Sequence, residues 1–452
     1  MTGHVPVRLD PTNRAGTPFP PIHEGRYEVD PEATGLLSPV PDLLRDRVAA
    51  AGVRLLRVGV GCWLPTQDPD PAVLHEREWF TGAGPEDLDD PTKYCFTHLD
   101  RVLSVCLDLG CEMLLSIDYM PRSLARIGPP PVIPEAIAHA APGYTFPDGI
   151  RCAPPRDPEL FAQAVVRVLA HVADRGVRVR YVELWNEPDL PFFYSGGFAD
   201  YLATYAPFAR AVAAAGYRVG GPSTAFLFDT EQWVEGFCQA VAKAGLPLDF
   251  YALHRYSDRR EVILDACRRV RSALDAAGLT ATEVVLDEWG YDLRDGPHHA
   301  TVAGASFIAS CLMALPEAGV RTQTHVLLVN PGPEPSLGMV SRTGAPNPIW
   351  HVLVAYEQLA GGHRITTGHE DLVLAVCDPD GTGLRALVAN PTPEPLVLEL
   401  VSPTPLTLQQ EVLTQPGFDL GRGWLEVGPV PLGDAPWTLE VAPESVARLI
   451  PG

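Results

Sequence analysis

"YVELWNEPDL", residues 181–190, is the stretch that decides how the chain is read. Its first half alternates as a strand does. Its second half is built to stop one, because Pro188 removes a backbone donor and turns the chain outward. Asn186 and Glu187 are left side by side at the strand's end. A parallel barrel gives such residues a use, since its chemistry sits at the C-terminal lip of its strands.

One unit recurs on both sides of this stretch: a helical segment, a glycine, a short apolar run, then polar or aromatic residues. The glycines are Gly52, Gly110, Gly176, Gly216, Gly245, Gly278 and Gly319. Each is placed to cap a helix in the left-handed conformation. Apolar runs between helices indicate a parallel sheet covered on its outer face. Seven units are visible, and the missing eighth strand is expected between Trp63 and His98. Eight units in roughly 300 residues predict an α/β fold, a (β/α)8 TIM barrel. The alternative, a doubly wound sheet, would want a Gly-rich phosphate loop after an early strand, which this chain lacks. After Gly361 the pattern turns to short β-rich runs split by Asp-Gly and Pro turns, with no helix-period stretch. That predicts a C-terminal β-sandwich. The expected organisation is residues 1–37 packing on barrel or sandwich, a catalytic barrel over 38–360, and a sandwich over 361–452.

Composition narrows the function. The chain has 452 residues, 46% of them apolar, and a net charge of −22. That balance argues against nucleic acid and anionic membranes as partners, because both select basic patches. The N-terminus lacks the apolar core of a signal peptide, and no apolar run is long enough to span a bilayer. Nine cysteines without a Cys-x-x-Cys pair suggest buried thiols in a reducing compartment, so the expected location is cytoplasmic. A homo-oligomer is left open.

The strand ends carry the chemistry. The fourth strand leaves Trp185, Asn186 and Glu187. The sixth leaves His254 and Tyr256, the seventh Glu288 and Trp289, and the eighth Asn330. Arg57 is read on the first strand. Glu187 and Glu288 then face each other across a barrel mouth, which is the equipment for glycoside hydrolysis. One must stay protonated for the leaving oxygen, and the other must stay ionised to attack. Glu187 is expected as acid/base, with Asn186 donating to a sugar hydroxyl. Arg57 and Tyr256 are expected beside Glu288. Glu183, four residues deeper than Glu187, reads as a buried carboxylate paired with an arginine.

The ordered set "WNEPDLPFFYSGGFADYLATYAPFARAVAAAGYRVGGPST", "IDYMP", "DFYALHRYSD" and "LDEWG" resembles glycoside hydrolase family 39, the β-xylosidase and α-L-iduronidase family. The resemblance covers most of residues 45–361. It implies a retaining hydrolase of carbohydrate, with Glu187 as acid/base, Glu288 as nucleophile and no cofactor. Xylosidase-like exo-activity is the expectation, with other barrel glycosidase activities (β-glucosidase, β-galactosidase, arabinosidase) beside it. Three positions depart from the family pattern. Gly59 stands where the family has His, "HVLLVN" replaces a Tyr-Trp pattern, and Asp189 stands where Asn is commoner. These departures bear on the sugar pocket and leave the catalytic pair intact.

Blander readings compete residue by residue. Trp185, Trp289 and Trp63 serve either barrel packing or sugar stacking. Phe193 and Asn330 join the expected substrate-binding residues. His298 and His299 lack a spaced third ligand, so no metal site is expected. A non-catalytic glycan-binding barrel would keep the cleft without turnover, and the pair of glutamates speaks against it.

Overall fold

The computed structural model describes residues 4–19, 23–26, 37–61, 78–128, 149–226, 231–293, 295–325, 327–330 and 338–452. Three short strands come first: β1 (Val5–Arg8), β2 (Arg14–Pro18) and β3 (His23–Arg26). The apolar runs after the glycines then form β4 (Leu55–Gly59), β5 (Glu112–Ile117), β6 (Val179–Leu184), β7 (Val219–Thr224), β8 (Phe250–Tyr256), β9 (Glu283–Gly290) and β10 (Val320–His325). Strands β3 to β10 close into an eight-stranded barrel, with β10 parallel to both β9 and β3, and a parallel pair, β11 (Leu327–Val329) and β12 (Gly338–Val340), follows it. Helices such as α1 (Asp42–Ala50), α2 (Thr97–Leu109), α3 (Pro158–Asp174) and α4 (Gly197–Ala214) lead from strand to strand.

The helices form for local reasons. In α3, Asp157 accepts the Leu160 N–H at 3.0 Å and Pro158 opens the first turn. Leu160, Phe161, Ala164, Val165, Val168, Leu169 and Val172 are buried at helical spacing and face the sheet. Gly110 ends α2 at φ 66°, a conformation that costs glycine nothing.

One expectation is overturned. The eighth barrel strand is β3, near the N-terminus, and not a segment between Trp63 and His98. Within 78–98, the described part of that interval, there are two 3-10 turns and a bridge from Phe80 to Tyr94. Arg57 therefore lies on the second barrel strand. The boundary expected at residue 38 cuts the barrel sheet, because β3 precedes it. The four residues His23–Arg26 carry no apolar alternation, so only closure of the barrel reveals them.

The last part of the chain is a β-sandwich. One sheet orders β1, β16 (Leu396–Val401) and β19 (Trp437–Val441). The other runs β18 (Leu425–Leu432), β17 (Leu406–Leu413), β20 (Ser445–Pro451), β15 (Arg385–Asn390), β14 (Val373–Cys377), β13 (His363–Ile365) and β2. Alternate residues point between the sheets: Val7, Leu398, Leu400 and Leu439 meet Ala375, Val388, Leu408 and Leu449 in one apolar cluster. A single turn of helix, Gln415–Asp419, interrupts the strands, where none was expected after Gly361. Its N-cap Thr414 accepts from Gly417 N–H, a local signal too short for a periodic reading.

Inside the barrel, successive inward residues build layers. The lower layer is apolar: Leu55, Leu114, Tyr181, Phe250, Ala252 and Val285 pack together. Two residues further along the same strands stand Arg57, Ser116, Glu183, His254 and Asp287, all buried.

Candidate active site

Strand β6 stops where its backbone turns. Trp185 and Glu187 both adopt positive φ, 75° and 48°. Side-chain-bearing residues hold that region only when surrounding contacts impose it. Those contacts are present. Tyr201 on α4 donates to the Leu184 carbonyl at 2.9 Å, and the Glu187 N–H donates to the Ser223 carbonyl at 3.0 Å. Glu187 is thereby lifted to the lip, where it is partly exposed.

Strand β9 delivers two acids through a bulge. Leu253 pairs with Leu286, but His254 pairs with Glu288, so Asp287 is an extra residue in β9. The same slip appears against β10, where Gln323 pairs with Leu286 and His325 with Trp289. A bulge re-aims side chains that would otherwise alternate. As a result the neighbours Asp287 and Glu288 both reach into the barrel. Strand β7 has a matching irregularity: Pro222 pairs with Ala252 and Thr224 with Leu253, which turns Ser223 inward.

The groups then converge. His254 Nδ1 lies 2.8 Å from Glu187 Oε1 and 3.1 Å from Glu288 Oε2. Tyr256 donates its hydroxyl to Glu288 Oε1 at 2.8 Å. Oxygens of the two glutamates and the His254 nitrogen all fall within 4.8 Å of one another. Arg57 Nε donates to Glu183 Oε1 at 2.6 Å and approaches Asp287 Oδ2 at 2.8 Å. The same guanidinium donates to Asn186 Oδ1 at 3.1 Å and stands 3.8 Å from Glu288 Oε2. Arg57 was expected to hydrogen-bond Glu288. It instead spends its hydrogens one layer deeper and acts on Glu288 through charge. Ser223 Oγ donates to Glu183 Oε2 at 2.5 Å and lies 3.1 Å from Asp287 Oδ2. Burial pushes the Glu183 carboxyl up to about 7, against the pull of Arg57 and with a further push from Asp287.

Several expected substrate contacts are placed otherwise. Asn186 is buried, and its amide donates to the Tyr119 hydroxyl at 3.2 Å. Trp185 is fully buried, with its indole N–H on the Phe193 carbonyl at 2.8 Å and its ring edge-on to Tyr119 and Tyr194. Trp289 is fully buried and donates to Gln323 Oε1 at 2.5 Å. Both tryptophans pack the barrel and leave no exposed face for a sugar ring. Phe193 is buried against Phe192 and Tyr119. Asn330 accepts from Gly338 N–H at 2.7 Å, and so ties the end of the short strand Leu327–Val329 to the start of its parallel neighbour Gly338–Val340. Trp63 lies outside the described residues.

Two of the departures also find a physical account. Asp189 is buried and accepts the N–H groups of Ala225 and Phe226 at 2.8 and 3.2 Å, so it braces the exit of β7. Its burial raises its carboxyl to about 6. The place left by Gly59 is filled by Asp118 from β5's end, whose Oδ1 would lie 2.5 Å from a Cβ at position 59. His298 stacks on Tyr291, while His299 is buried and held down to about 4 by desolvation. Among the described residues, Glu187, His254 and Glu288 form the group whose donor atoms lie close enough for an ion, and the acid/base chemistry below accounts for all three. The sequence reading missed Asp287, Ser223, Tyr119 and Asp118. "LDEWG", "GGPST" and "IDYMP" carried them, at strand ends where bulges and irregular backbone set their aim.

Comparison with known proteins agrees with this geometry. The sequence profile of glycosyl hydrolases family 39 matches residues 81–318. A beta-xylosidase of Caldicellulosiruptor saccharolyticus is 26% identical over 315 residues, 63% of this chain and 60% of that protein. The chain thus spans about three fifths of that relative's length. Among solved structures, a GH39 beta-xylosidase from Caulobacter crescentus superposes with a TM-score of 0.72 at 20% identity, covering 99% of each chain. A glucosidase from Croceicoccus marinus superposes at 0.69 with 18% identity, covering 99% of this chain and 98% of that one. At such identities the two structures establish the fold, a barrel with a sandwich.

Proposed function

We propose a reaction for this chain, which belongs to glycosyl hydrolases family 39: retaining hydrolysis of a glycosidic bond by double displacement, of the β-xylosidase-like exo type. That the chain is a glycoside hydrolase acting on carbohydrate follows from the family. The finer reading rests above all on the meeting of Glu187 and Glu288 around His254 Nδ1, with oxygens within 4.8 Å. Retaining sites hold their carboxyls about 5–5.5 Å apart, and inverting sites leave about 6.5–9.5 Å for a water.

In the first step a Glu288 oxygen forms a bond to the anomeric carbon as the glycosidic C–O bond breaks. Glu187 gives its proton to the departing oxygen. In the second step Glu187 takes a proton from water, whose oxygen bonds to the anomeric carbon and releases Glu288. Tyr256 and the Arg57 charge support an ionised Glu288 before attack. A cytoplasmic location belongs to the same proposal, supported by eight free cysteines among the described residues.

A slow, mechanism-based sugar followed by peptide mass spectrometry tests the roles. Label on Glu288 is expected, and label on Asp287 or Asp292 would overturn them. A panel of aryl xylosides, glucosides, galactosides, arabinosides and uronides tests the sugar. Fastest turnover on the xyloside is the expected result.

A further inference from the structure

Asp287 lies at the bulge in β9, beside Glu288, and the proposed mechanism leaves it without a task. It is fully buried, and its contacts gather on one oxygen, Oδ2. That oxygen lies 2.8 Å from Arg57 Nε, 3.1 Å from Ser223 Oγ and 3.4 Å from His254 Nε2. The other nitrogen of the same ring, Nδ1, is the one that meets both Glu187 and Glu288. Asp287 thus touches the catalytic pair through one imidazole and reaches no substrate itself.

We propose that Asp287 is a positioning residue that keeps a hydrogen on His254 Nε2, so that Nδ1 shares with Glu187 the proton used on the leaving group. The inference deepens the proposed double displacement and rests on it. A neutral imidazole carries one hydrogen, and the group beside one nitrogen decides which nitrogen holds it. The 3.4 Å contact is not a hydrogen bond in the resting structure, so Asp287 acts on Nε2 through its charge, which favours the Nε2–H form. Nδ1 then presents a lone pair toward Glu187 Oε1 at 2.8 Å. One mobile proton occupies that gap, bonded to Glu187 or to Nδ1. With it on Nδ1 the ring is an imidazolium facing carboxylates at both ends, and the total proton count is unchanged. In the first step this proton leaves with the departing oxygen, and in the second it returns from water.

The surroundings agree with this assignment. The groups facing His254 are Glu187 beyond β6, Asp287 and Glu288 on β9, and, one contact further, Arg57 on β4, Glu183 on β6, Ser223 on β7 and Tyr256 on β8. Arg57 places its guanidinium 2.8 Å from Asp287 Oδ2. Ser223 can donate to the same oxygen. Had β9 kept the alternation that points Val285 inward, Asp287 would still face the barrel and Glu288 would point out of it.

Two measurements on the full chain test the proposal. The first is nitrogen NMR of 15N-histidine-labelled protein near neutral pH, with the His254 signals assigned by their loss in His254→Phe. A hydrogen on Nε2 is expected. A ring protonated on Nδ1 alone would overturn the proposal, and this readout needs neither turnover nor any Asp287 variant. The second compares pH–rate profiles of Asp287→Asn and Asp287→Glu on an aryl glycoside with a poor leaving group. Removing the negative charge weakens proton retention, so the basic limb of Asp287→Asn should move to lower pH by about one unit. Asp287→Glu should restore it. A basic limb unmoved in a folded Asp287→Asn protein, or rate loss equal on good and poor leaving groups, would refute the role. Absence of wild-type turnover on every glycoside would instead sink the double displacement and leave the tautomer result standing.

Discussion

The two halves of the barrel interior are made by the same strands and do opposite work. At the lower level, Leu55, Leu114, Tyr181, Phe250, Ala252 and Val285 form a closed apolar layer. Two residues along, Arg57, Ser116, Glu183, His254 and Asp287 replace it with charge and hydroxyl groups that are as deeply buried. A strand's period of two makes the change abrupt. The lower layer favours folding, since each large side chain buried contributes about 1.5–3 kcal/mol. The upper layer opposes it, because desolvating ions costs several kcal/mol each and pairing restores only part. The sheet therefore spends at one end some of the stability it gains at the other.

Substitutions can break or sharpen that contrast. The largest effect belongs to the lip. Glu288→Ala should lower kcat on the order of 10⁶-fold, the scale of losing a covalent nucleophile, with the melting temperature held or raised. A residual rate within tenfold of wild type would break the assignment. Glu187→Ala should cost about 10²–10⁴-fold on poor leaving groups and far less on good ones. Azide should restore its rate and yield a glycosyl azide of retained configuration, and equal loss on all leaving groups would make Glu187 structural.

One layer down, the cost moves to stability. Arg57→Met strands Glu183 and Asp287 without their cation and should destabilise the fold by about 3–5 kcal/mol in denaturant titration. In the apolar layer, Leu114→Ala should cost about 2–5 kcal/mol and leave kcat of the folded fraction near wild type. A large kcat loss there would erase the distinction between the layers.

The smallest effect is a slope. Glu183 is raised from 4.5 to about 7 in the folded protein, so between these values the folded state holds a proton that the unfolded chain has lost. Its contribution therefore falls as pH rises from about 4.5 to about 7. Glu183→Gln should flatten that part of the melting-temperature profile. An unchanged slope would mean that Glu183 is not the group responsible.

The same strands explain what could be read in the sequence. Seven barrel strands were legible because each follows a Gly-capped helix and runs apolar. Strand β3 was not, since His-Glu-Gly-Arg has no period and its place is decided by closure. Glu187 and Glu288 were legible as strand-end acids. Ser223 was not, because alternation aims it away and only the irregularity in β7 brings it in, and Asp287 was hidden because two adjacent acids on one strand cannot both face inward until the bulge in β9 lets them. Trp185 and Trp289 were ambiguous for a different reason. An indole beside a catalytic acid looks the same in sequence whether it stacks on sugar or, as here, fills the barrel. Asn330 lies at a strand end too, yet its side chain accepts from the backbone of Gly338 on the neighbouring strand.

The first strands of the chain have a consequence for synthesis. β1 pairs with β16, β2 with β13, and β3 with β10, so one short segment stitches both sheets of the sandwich and the barrel seam. β3 ends at Arg26 and β10 begins at Val320, a difference of 320 − 26 = 294 positions. At about 5–20 residues per second, the ribosome needs roughly 15–60 s to make that partner after β3 has been polymerised. During that interval β3 lacks its β10 neighbour and has only β4 to pair with, because the barrel cannot close until its last strand is made. The seam is thus an edge that a nascent chain must shield, and deleting the first 26 residues would leave it open for good.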